Sequence, residues 1–354
     1  IADCTHYDFY AGLGAWPTGF AAMRDPEWKH VGGIEIKAEL AETYYANHGI
    51  HLTIGDACDP LNWRAVRTQM RAAVLNFGPG CPPWSGTGRV KGWKDPRSWT
   101  LALVPVQAWA TDCVATNTEE VDNFQKVREA MAVWTSLWAL AGHKLQINNE
   151  AASDSSPLIR NRLIMNTIKK HLAARLETMG LSYLLRERGI TLRMPCPYLM
   201  GRVTDKWTLQ EIIEEEVYIE EGSDEFEVLM DSRTLPWVGY ERFVEPGKLV
   251  APITAAYSRS DEIAPDLIKD KGIQGPVKKL RDNRTEEIRG LRYLFKIEAA
   301  ALMTMPGGMT LPKRKKECFI AMGNTIPITL TCLGAARSRN ALAVLRGLAP
   351  IDPK

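Results

Sequence analysis

The sequence predicts an α/β fold built on a Rossmann-like sheet, and three observations carry that prediction. Apolar runs of strand length recur through the amino-terminal half and end abruptly at glycine, proline or an acidic residue. Helix-length stretches separate them, the alternation that winds a parallel sheet. The strand ends also collect the chemistry-bearing side chains, as expected where ligands bind beyond the carboxyl ends of strands.

Composition sets the frame. The chain has 354 residues, 45% hydrophobic and 24% charged, enough to bury a sizeable core and to form two domains. No apolar run approaches the ~20 residues of a membrane span. The start Ile1-Ala2-Asp3-Cys4 shows no basic stretch leading into an apolar one, so no signal peptide is expected. The seven cysteines include no C-x-x-C pair, which argues against a disulfide framework or zinc site and for a reducing cytoplasm or nucleus. The six histidines include no H-x-x-x-H pair, so no metal is expected. A net charge of +2 neither demands nor excludes nucleic acid.

The elements follow in order. Tyr7 to Tyr10 reads as a strand entering the turn Gly12-Leu13-Gly14, with a helix opening between Gly19 and Met23. Glycine lets the backbone approach a ligand, and a helix start presents free N–H groups, the pattern of a nucleotide cradle. Val31 to Ile36 is the second strand, with Glu35 placed to accept both hydroxyls of a ribose. A helix over Ala38 to Asn47 leads to Ile54-Gly55-Asp56-Ala57, a third strand end where Asp56 could accept from an adenine amino group. The apolar run Ala72 to Phe77 is the fourth strand, followed by Gly78-Pro79-Gly80-Cys81-Pro82-Pro83-Trp84-Ser85. A lone cysteine at that edge is a candidate nucleophile, although taken alone it reads as a small buried hydrophobe. The basic loop from Gly86 to Arg97, with Arg89, Lys91, Lys94 and Arg97, suits phosphates beside the thiol and equally suits a solvated loop.

Trp99 to Ala110 is helical, and Asp112 to Asn117 is a strand leading into Thr118 to Phe124. Glu119 there is either a carboxylate facing the thiol, its pKa raised by partial burial towards that of a general acid, or an acidic helix start. A helix over Lys126 to Ala141 and a strand over His143 to Asn149 come next. Ser155 to Met165 then turns into a strand whose Arg160 and Arg162 alternate onto one face and need anions.

In this order the segments resemble the cytosine carbon-5 DNA methyltransferase family over nearly the whole chain. The turn from Asp8 to Gly14 is similar to its S-adenosylmethionine loop, with Tyr10 where an aromatic ring stacks near the adenine. The resemblance implies a cofactor site of Asp8, Tyr10, Gly12, Gly14, Glu35, Ile36, Asp56, Ala57, Gly78 and Asn324. Cys81 falls on the nucleophile, Glu119 on the first residue of Glu-Asn-Val, and Arg160 and Arg162 on Gln-x-Arg-x-Arg. Arg292 to Leu302 with Pro306, and Ala321 to Pro327, resemble the two carboxyl-terminal motifs. Departures are Gly80 for proline, Pro82 for glutamine or asparagine, Glu120 for asparagine, Ile297 for arginine and Ala15-Trp16 for glycine, the marks of a divergent, phage-type member.

The implied reaction is addition of the Cys81 thiolate to cytosine carbon 6 of a flipped-out base, with Glu119 at N3. Methyl transfer from S-adenosylmethionine to carbon 5 then leaves S-adenosylhomocysteine. Arg162 would hold the ring and Glu119, Arg160 would contact the sheet edge or backbone, and Ser85, Arg89, Lys91, Lys94 and Arg97 would grip DNA. The implied division is a catalytic domain over 1–169, an irregular target-recognition region over 170–290 and a returning segment over 291–354. The acidic blocks at 211–216 and 220–225 would face solvent, with cationic surface near Lys278, Arg281, Arg284 and Lys313 to Lys316. The implied partner is double-stranded DNA bound by a monomer, with no metal or membrane, in a bacterial or phage-infected cytoplasm or a nucleus. A tRNA methyltransferase and a catalytically silent accessory subunit are the other readings.

Overall fold

A computed structural model describes residues 4–70, 72–85, 90–156, 158–182 and 296–348, together with five short strands between 243 and 292. Arg89, both acidic blocks and most of the 170–290 region lie outside the described residues.

Seven strands form the main sheet: β1 (Thr5–Phe9), β2 (Lys29–Glu35), β3 (Thr53–Ile54), β4 (Val74–Phe77), β5 (Ala115–Val121), β6 (His143–Ala151) and β7 (Asn161–Lys169). Their order is β3-β2-β1-β4-β5-β7-β6. The first five pair in parallel, and β7 runs antiparallel to both β5 and β6. The sheet is thus the α/β, Rossmann-like one that the sequence predicts. Strand order reverses between β1 and β4, the switch point where ligands bind in open α/β sheets. The glycine turn and the cysteine loop leave from these two neighbours, with Phe9 opposite Phe77.

The helices are α1 (Ala15–Ala22), α2 (Ala41–His48), α3 (Pro60–Ala65), α4 (Trp99–Thr111), α5 (Arg128–Leu140), α6 (Lys170–Thr178), α7 (Lys296–Leu302), α8 (Lys315–Gly323) and α9 (Ile328–Leu345). Local chemistry sets some ends: Asp59 accepts from the Leu61 N–H at 2.9 Å and Pro60 takes the first turn of α3, where a missing N–H costs nothing.

One alternative is decided and one expectation corrected. β5 continues through Glu119 and Glu120 to Val121, so these acids lie in a buried strand, as the strand-end reading of Glu119 requires, rather than at a helix start. β7 begins at Asn161, so Arg160 precedes the strand and does not alternate with Arg162 along it. The β5–β7 pairing sets Val121 opposite Arg162.

The two sides of the sheet are packed differently. On one, Phe9, Phe77, Trp84, Leu101, Phe124, Trp134 and Trp138 form one buried cluster. Trp84 meets Phe124, Phe124 meets Trp134, and Trp134 meets Trp138 edge to face, with centroids 4.9, 6.0 and 5.6 Å apart. On the other, Phe20 of α1, Leu172 and Leu176 of α6, and Ala335, Leu342 and Leu345 of α9 cover Val74, Ala115 and Ile168. Here α1 meets α9 closely: a Cβ at Gly334 would come within 2.9 Å of both Trp16 and Ile164. Trp16 therefore fills a notch in α9, which accounts for the Ala15-Trp16 departure.

A line of buried polar side chains crosses this second side. Asn76 donates to Asp8 at 2.8 Å, Asn117 to Asn76 at 2.8 Å and Asn166 to Asn117 at 2.6 Å. The donors and acceptors stand opposite one another in the strand register. Tyr44 Oη donates to Asp8 at 3.4 Å, Ser338 Oγ to Asn117 at 2.5 Å, and Asn166 also donates to the Gly334 carbonyl at 3.1 Å.

The chain divides into two compact units, Ile1–Ala151 with Asn161–Leu192 and Thr325–Lys354, and Ala152–Arg160 with Arg193–Asn324. These bounds cut across the three-part division of the sequence. Within the second unit, Ser156 Oγ donates to the Leu302 carbonyl at 2.7 Å. It also holds the short strands β8 (Phe243–Val244), β9 (Leu267–Lys269), β10 (Val277–Lys279), β11 (Thr285–Glu287) and β12 (Leu291–Arg292). Of these, β12, β9 and β8 form one small sheet and β10 and β11 another.

Candidate active site

Tyr10, Gly12 and Gly14 take φ of +58°, +55° and +82°, so the chain leaves β1 through three left-handed residues. Gly14 is required twice over, since a Cβ there would also overlap the His48 imidazole. Glu35 is buried and pinned: its Oε2 accepts from the Gly12 N–H at 2.9 Å and its Oε1 from the Lys37 N–H at 3.1 Å. Each oxygen keeps a further lone pair for hydroxyl donors. Ile36, the next residue, is 67% exposed and offers an apolar surface beside that carboxylate.

Asp56 Oδ1 accepts from the Cys58 N–H at 2.8 Å, a local turn that fixes the carboxylate. The Ala57 carbonyl is held by Trp63 Nε1 at 2.8 Å and Gln107 Nε2 at 2.7 Å. Tyr10 packs against the aromatic cluster, and its hydroxyl donates to the Thr100 carbonyl at 3.3 Å and lies 3.6 Å from Cys58 Sγ. A Cβ at Gly12 would lie 4.0 Å, and one at Gly78 3.6 Å, from the same Tyr10 carbonyl, so the two glycine turns converge on one stretch of backbone. Bare backbone, a pinned carboxylate and an adjacent apolar face fit an adenosine-bearing cofactor.

Asp8 stands apart from that group. It is fully buried, and its carboxylate takes hydrogen bonds from Asn76 and Tyr44, so it supports the turn from within the sheet. His6, Asp8 and His30 offer ligand atoms within 4.8 Å of one another. The two rings stack at 4.7 Å and 26°, and His30 Nε2 is bonded to Tyr44 Oη at 2.6 Å, an arrangement of a polar core rather than of lone pairs aimed at one ion. Burial holds the His6 and His30 imidazoles neutral, down to about 3 and about 4.

Cys81 is half-buried against the aromatic cluster, and its carbonyl accepts the N–H groups of Trp84 and Ser85, both at 3.0 Å. The returning arm of the basic loop is fastened to this turn: the Gly92 N–H bonds the Pro83 carbonyl at 3.0 Å, and Trp93 meets Trp84 edge to face at 4.9 Å. Lys91, Lys94 and Arg97 are exposed. Arg97 forks onto Asp95 with bonds of 2.9 and 2.7 Å, which hold the Asp95 carboxyl down to about 2. Arg97 also feels the Cys81 sulfur electrostatically.

Glu119 is 7% exposed, and Arg162 Nε lies 2.5 Å from its Oε1, a close charge contact although the Nε–H does not point along it. Arg162 Nη1 donates to the Asn161 carbonyl at 2.8 Å. Beside it Glu120 is fully buried, and burial first, then the Glu119 charge, pushes its carboxyl well above the usual carboxylate range. In the second unit, Arg160 is buried and donates to the Gly323 carbonyl at 2.9 Å, while Asn324 follows α8 as its exposed cap. The structure thus brings Glu119 to Arg162 and Tyr10 to the glycine turns. Sequence reasoning missed the burial of Glu120 and the Asp95–Arg97 fork; the Asp-Pro-Arg spacing was the available signal for the second.

Comparison with known proteins bears on the fold and the family. No curated protein matches the chain. Among solved structures, a mutant of Spodoptera frugiperda DNMT2 is similar over 93% of this chain and 97% of its own, with TM-score 0.63 and 16% identity. The Entamoeba histolytica methyltransferase EhMeth is similar over 98% and 99%, with TM-score 0.66 and 13% identity. A protein assigned as a DNA modification methyltransferase and encoded within an E. coli prophage is similar over 96% and 99%, with TM-score 0.58 and 13% identity. At these identities the likeness shows the fold. The model of the C-5 cytosine-specific DNA methylase family, however, matches residues 4–333, and the chain belongs to that family.

Proposed function

We propose that this protein methylates carbon 5 of cytosine in double-stranded DNA, with S-adenosylmethionine as the donor. The observation that carries the reading is the placement of Cys81, just beyond β4, beside a strand whose Glu119 is buried against Arg162, with Phe77 opposite Thr118 in the register. The likeness to a prophage DNA modification methyltransferase supports DNA as the substrate.

Carbon 5 of cytosine is a weak nucleophile, so the ring must first be activated. The Cys81 thiolate forms a bond to carbon 6, and the displaced electron pair makes carbon 5 enamine-like. Glu119, in its protonated form, donates to N3 and accepts from the amino group, and passes its proton to N3 as negative charge develops, leaving a carboxylate beside Arg162, an effect worth about 10²–10⁴-fold in rate. Arg162 fixes the Glu119 carboxyl in that position. Glu35, Ile36, Asp56 and the glycine turns would hold S-adenosylmethionine, which would supply the electrophilic methyl group. Loss of the carbon 5 proton then expels the Cys81 thiolate. The base must leave the duplex to reach the sulfur, at a cost of a few kcal/mol, and the exposed cations Lys91, Lys94 and Arg97 that follow the cysteine turn in sequence would hold the flanking phosphates.

The test is incubation with S-adenosylmethionine and duplex DNA carrying 5-fluorocytosine, in which carbon 5 has no proton to lose. A denaturation-resistant adduct bearing one methyl group, absent in Cys81→Ser, is expected. An adduct on tRNA alone would move the substrate to RNA. No adduct on either would favour the accessory reading.

A further inference from the structure

Gln107 is fully buried in α4, whose Leu101, Val104 and Ala108 are packed into the aromatic cluster. An amide in that setting is costly unless it is bonded. Its Nε2 donates at 2.7 Å to the Ala57 carbonyl, 50 residues away in the chain and next to Asp56. Trp63 Nε1 donates to the same oxygen at 2.8 Å, so both of its lone pairs are engaged. At the other end of the same peptide, the Cys58 N–H donates to Asp56 Oδ1 at 2.8 Å. The peptide between Ala57 and Cys58 is thus gripped at both ends, and its orientation sets that of the Asp56 carboxylate.

The two donors to the Ala57 carbonyl differ in what carries them. Trp63 lies in α3, which follows closely on the turn, as does Asn62, whose Nδ2 donates to the Asp56 carbonyl at 2.9 Å. These bonds would travel with the turn if it shifted. Gln107 instead ties the turn to a helix anchored in the core, and the Thr100 carbonyl of that helix also holds the Tyr10 hydroxyl.

We infer that Gln107 is a positioning residue for recognition of the adenine amino group: it holds the peptide that aims Asp56, with Oδ1 engaged by the Cys58 N–H and Oδ2 the acceptor for the ligand. This inference rests on the proposed S-adenosylmethionine site. A 6-oxo base, hypoxanthine, sets an acceptor oxygen where adenine has its amino group, and its nearest donor is the N–H at position 1. A pinned carboxylate meets the oxygen, whereas one free to swing could reach the N–H. The choice between the two bases therefore reads how firmly Asp56 is held.

The test is calorimetric binding of S-adenosylhomocysteine and its 6-oxo analogue, S-inosylhomocysteine, to the whole chain and to Gln107→Met. Methionine keeps the length and packing of the side chain and leaves the Ala57 carbonyl its bond from Trp63. Wild type should prefer the amino compound by about 10–100-fold, the worth of one hydrogen bond to a charged group. In Gln107→Met that preference should shrink several-fold, while the preference for the ribose compound over its 2′-deoxy analogue, which depends on Glu35, stays as in wild type. Gln107→Asn, whose amide is drawn back by one methylene, should lose base preference in the same way and carries the comparison should the methionine variant not fold.

A base preference unchanged in both variants would overturn the inference, and so would a fall in base and ribose preference together, the mark of a site loosened as a whole. Wild type that binds both bases equally would also overturn it, by removing Asp56 as the reader of the amino group, with the cofactor reading intact. Wild type that binds neither compound would remove that reading and this role with it.

Discussion

On one side of the sheet Trp84, Trp134 and Trp138 are buried with indole N–H groups that have no partner among the described residues, whereas on the other Asp8, Asn76, Asn117 and Asn166 pass hydrogen bonds from strand to strand. The first side is held by contact area and ring geometry, which tolerate small shifts. The second is held by directional bonds that exist only while β1, β4, β5 and β7 keep one register, since a slip of one residue would turn every asparagine to the opposite face. Those strands carry the glycine turn, Cys81, Glu119 and Arg162. The polar side therefore fixes the relative positions of the groups proposed to bind and react, and the aromatic side supplies bulk stability.

The strongest way to break this contrast is Asn117→Leu. Asn117 donates to Asn76 and accepts from Asn166 and Ser338; leucine would take the donor from Asn76 Oδ1 and the acceptor from Ser338 Oγ, while Asn166 keeps the Gly334 carbonyl. Each buried polar group left unpaired costs about 1–3 kcal/mol, so urea unfolding should show a loss of about 3 kcal/mol or more. A loss under about 1 kcal/mol would mean that the line of asparagines does not hold the strands.

Acid should reach the polar side next. His6 and His30 are held down to about 3 and about 4, so below the ordinary histidine pKa near 6.5 the unfolded chain binds protons that the fold refuses. The stability their neutrality preserves is present above about pH 6.5 and is lost as pH falls towards 4, by roughly 1 kcal/mol per pH unit for each ring. The raised Asp8 carboxyl opposes this in part. Urea titrations at pH 7 and pH 5.5 should differ by about 1–2 kcal/mol, and His30→Gln should shrink the difference; equal stabilities would show that the rings charge inside the fold.

The sequence made strand ends legible because glycine, proline and acids punctuate them, and so the turn at Gly12, Glu35, Asp56 and Cys81 could each be placed before any coordinates. Glu119 is harder. Two consecutive glutamates suit both a strand end and the first turn of a helix, and the antiparallel partner β7, bringing Arg162 alongside, decides for the strand. Asn76, Asn117 and Asn166 each look like a polar blemish in an apolar run, because the bond that satisfies each comes from a strand distant in sequence. Trp16 stands in the sequence as a departure from the family pattern, and its partner is Gly334 in α9. What the sequence hid was pairing between distant segments.

The gentlest comparison is Trp138→Phe on the aromatic side. Trp138 is fully buried between Trp134 and the His143 ring, 5.6 and 5.5 Å away, and its N–H has no partner to lose. Phenylalanine keeps an edge-to-face ring and leaves a small void, so the cost should be about 1.5 kcal/mol, towards the low end of large-to-small core changes. Asn117→Leu removes no more volume than this and should nevertheless cost at least twice as much. If the two variants lose equal stability, the asparagines act as packing alone, and the register of the strands that carry Cys81 and Glu119 must be set by the backbone ladder without them.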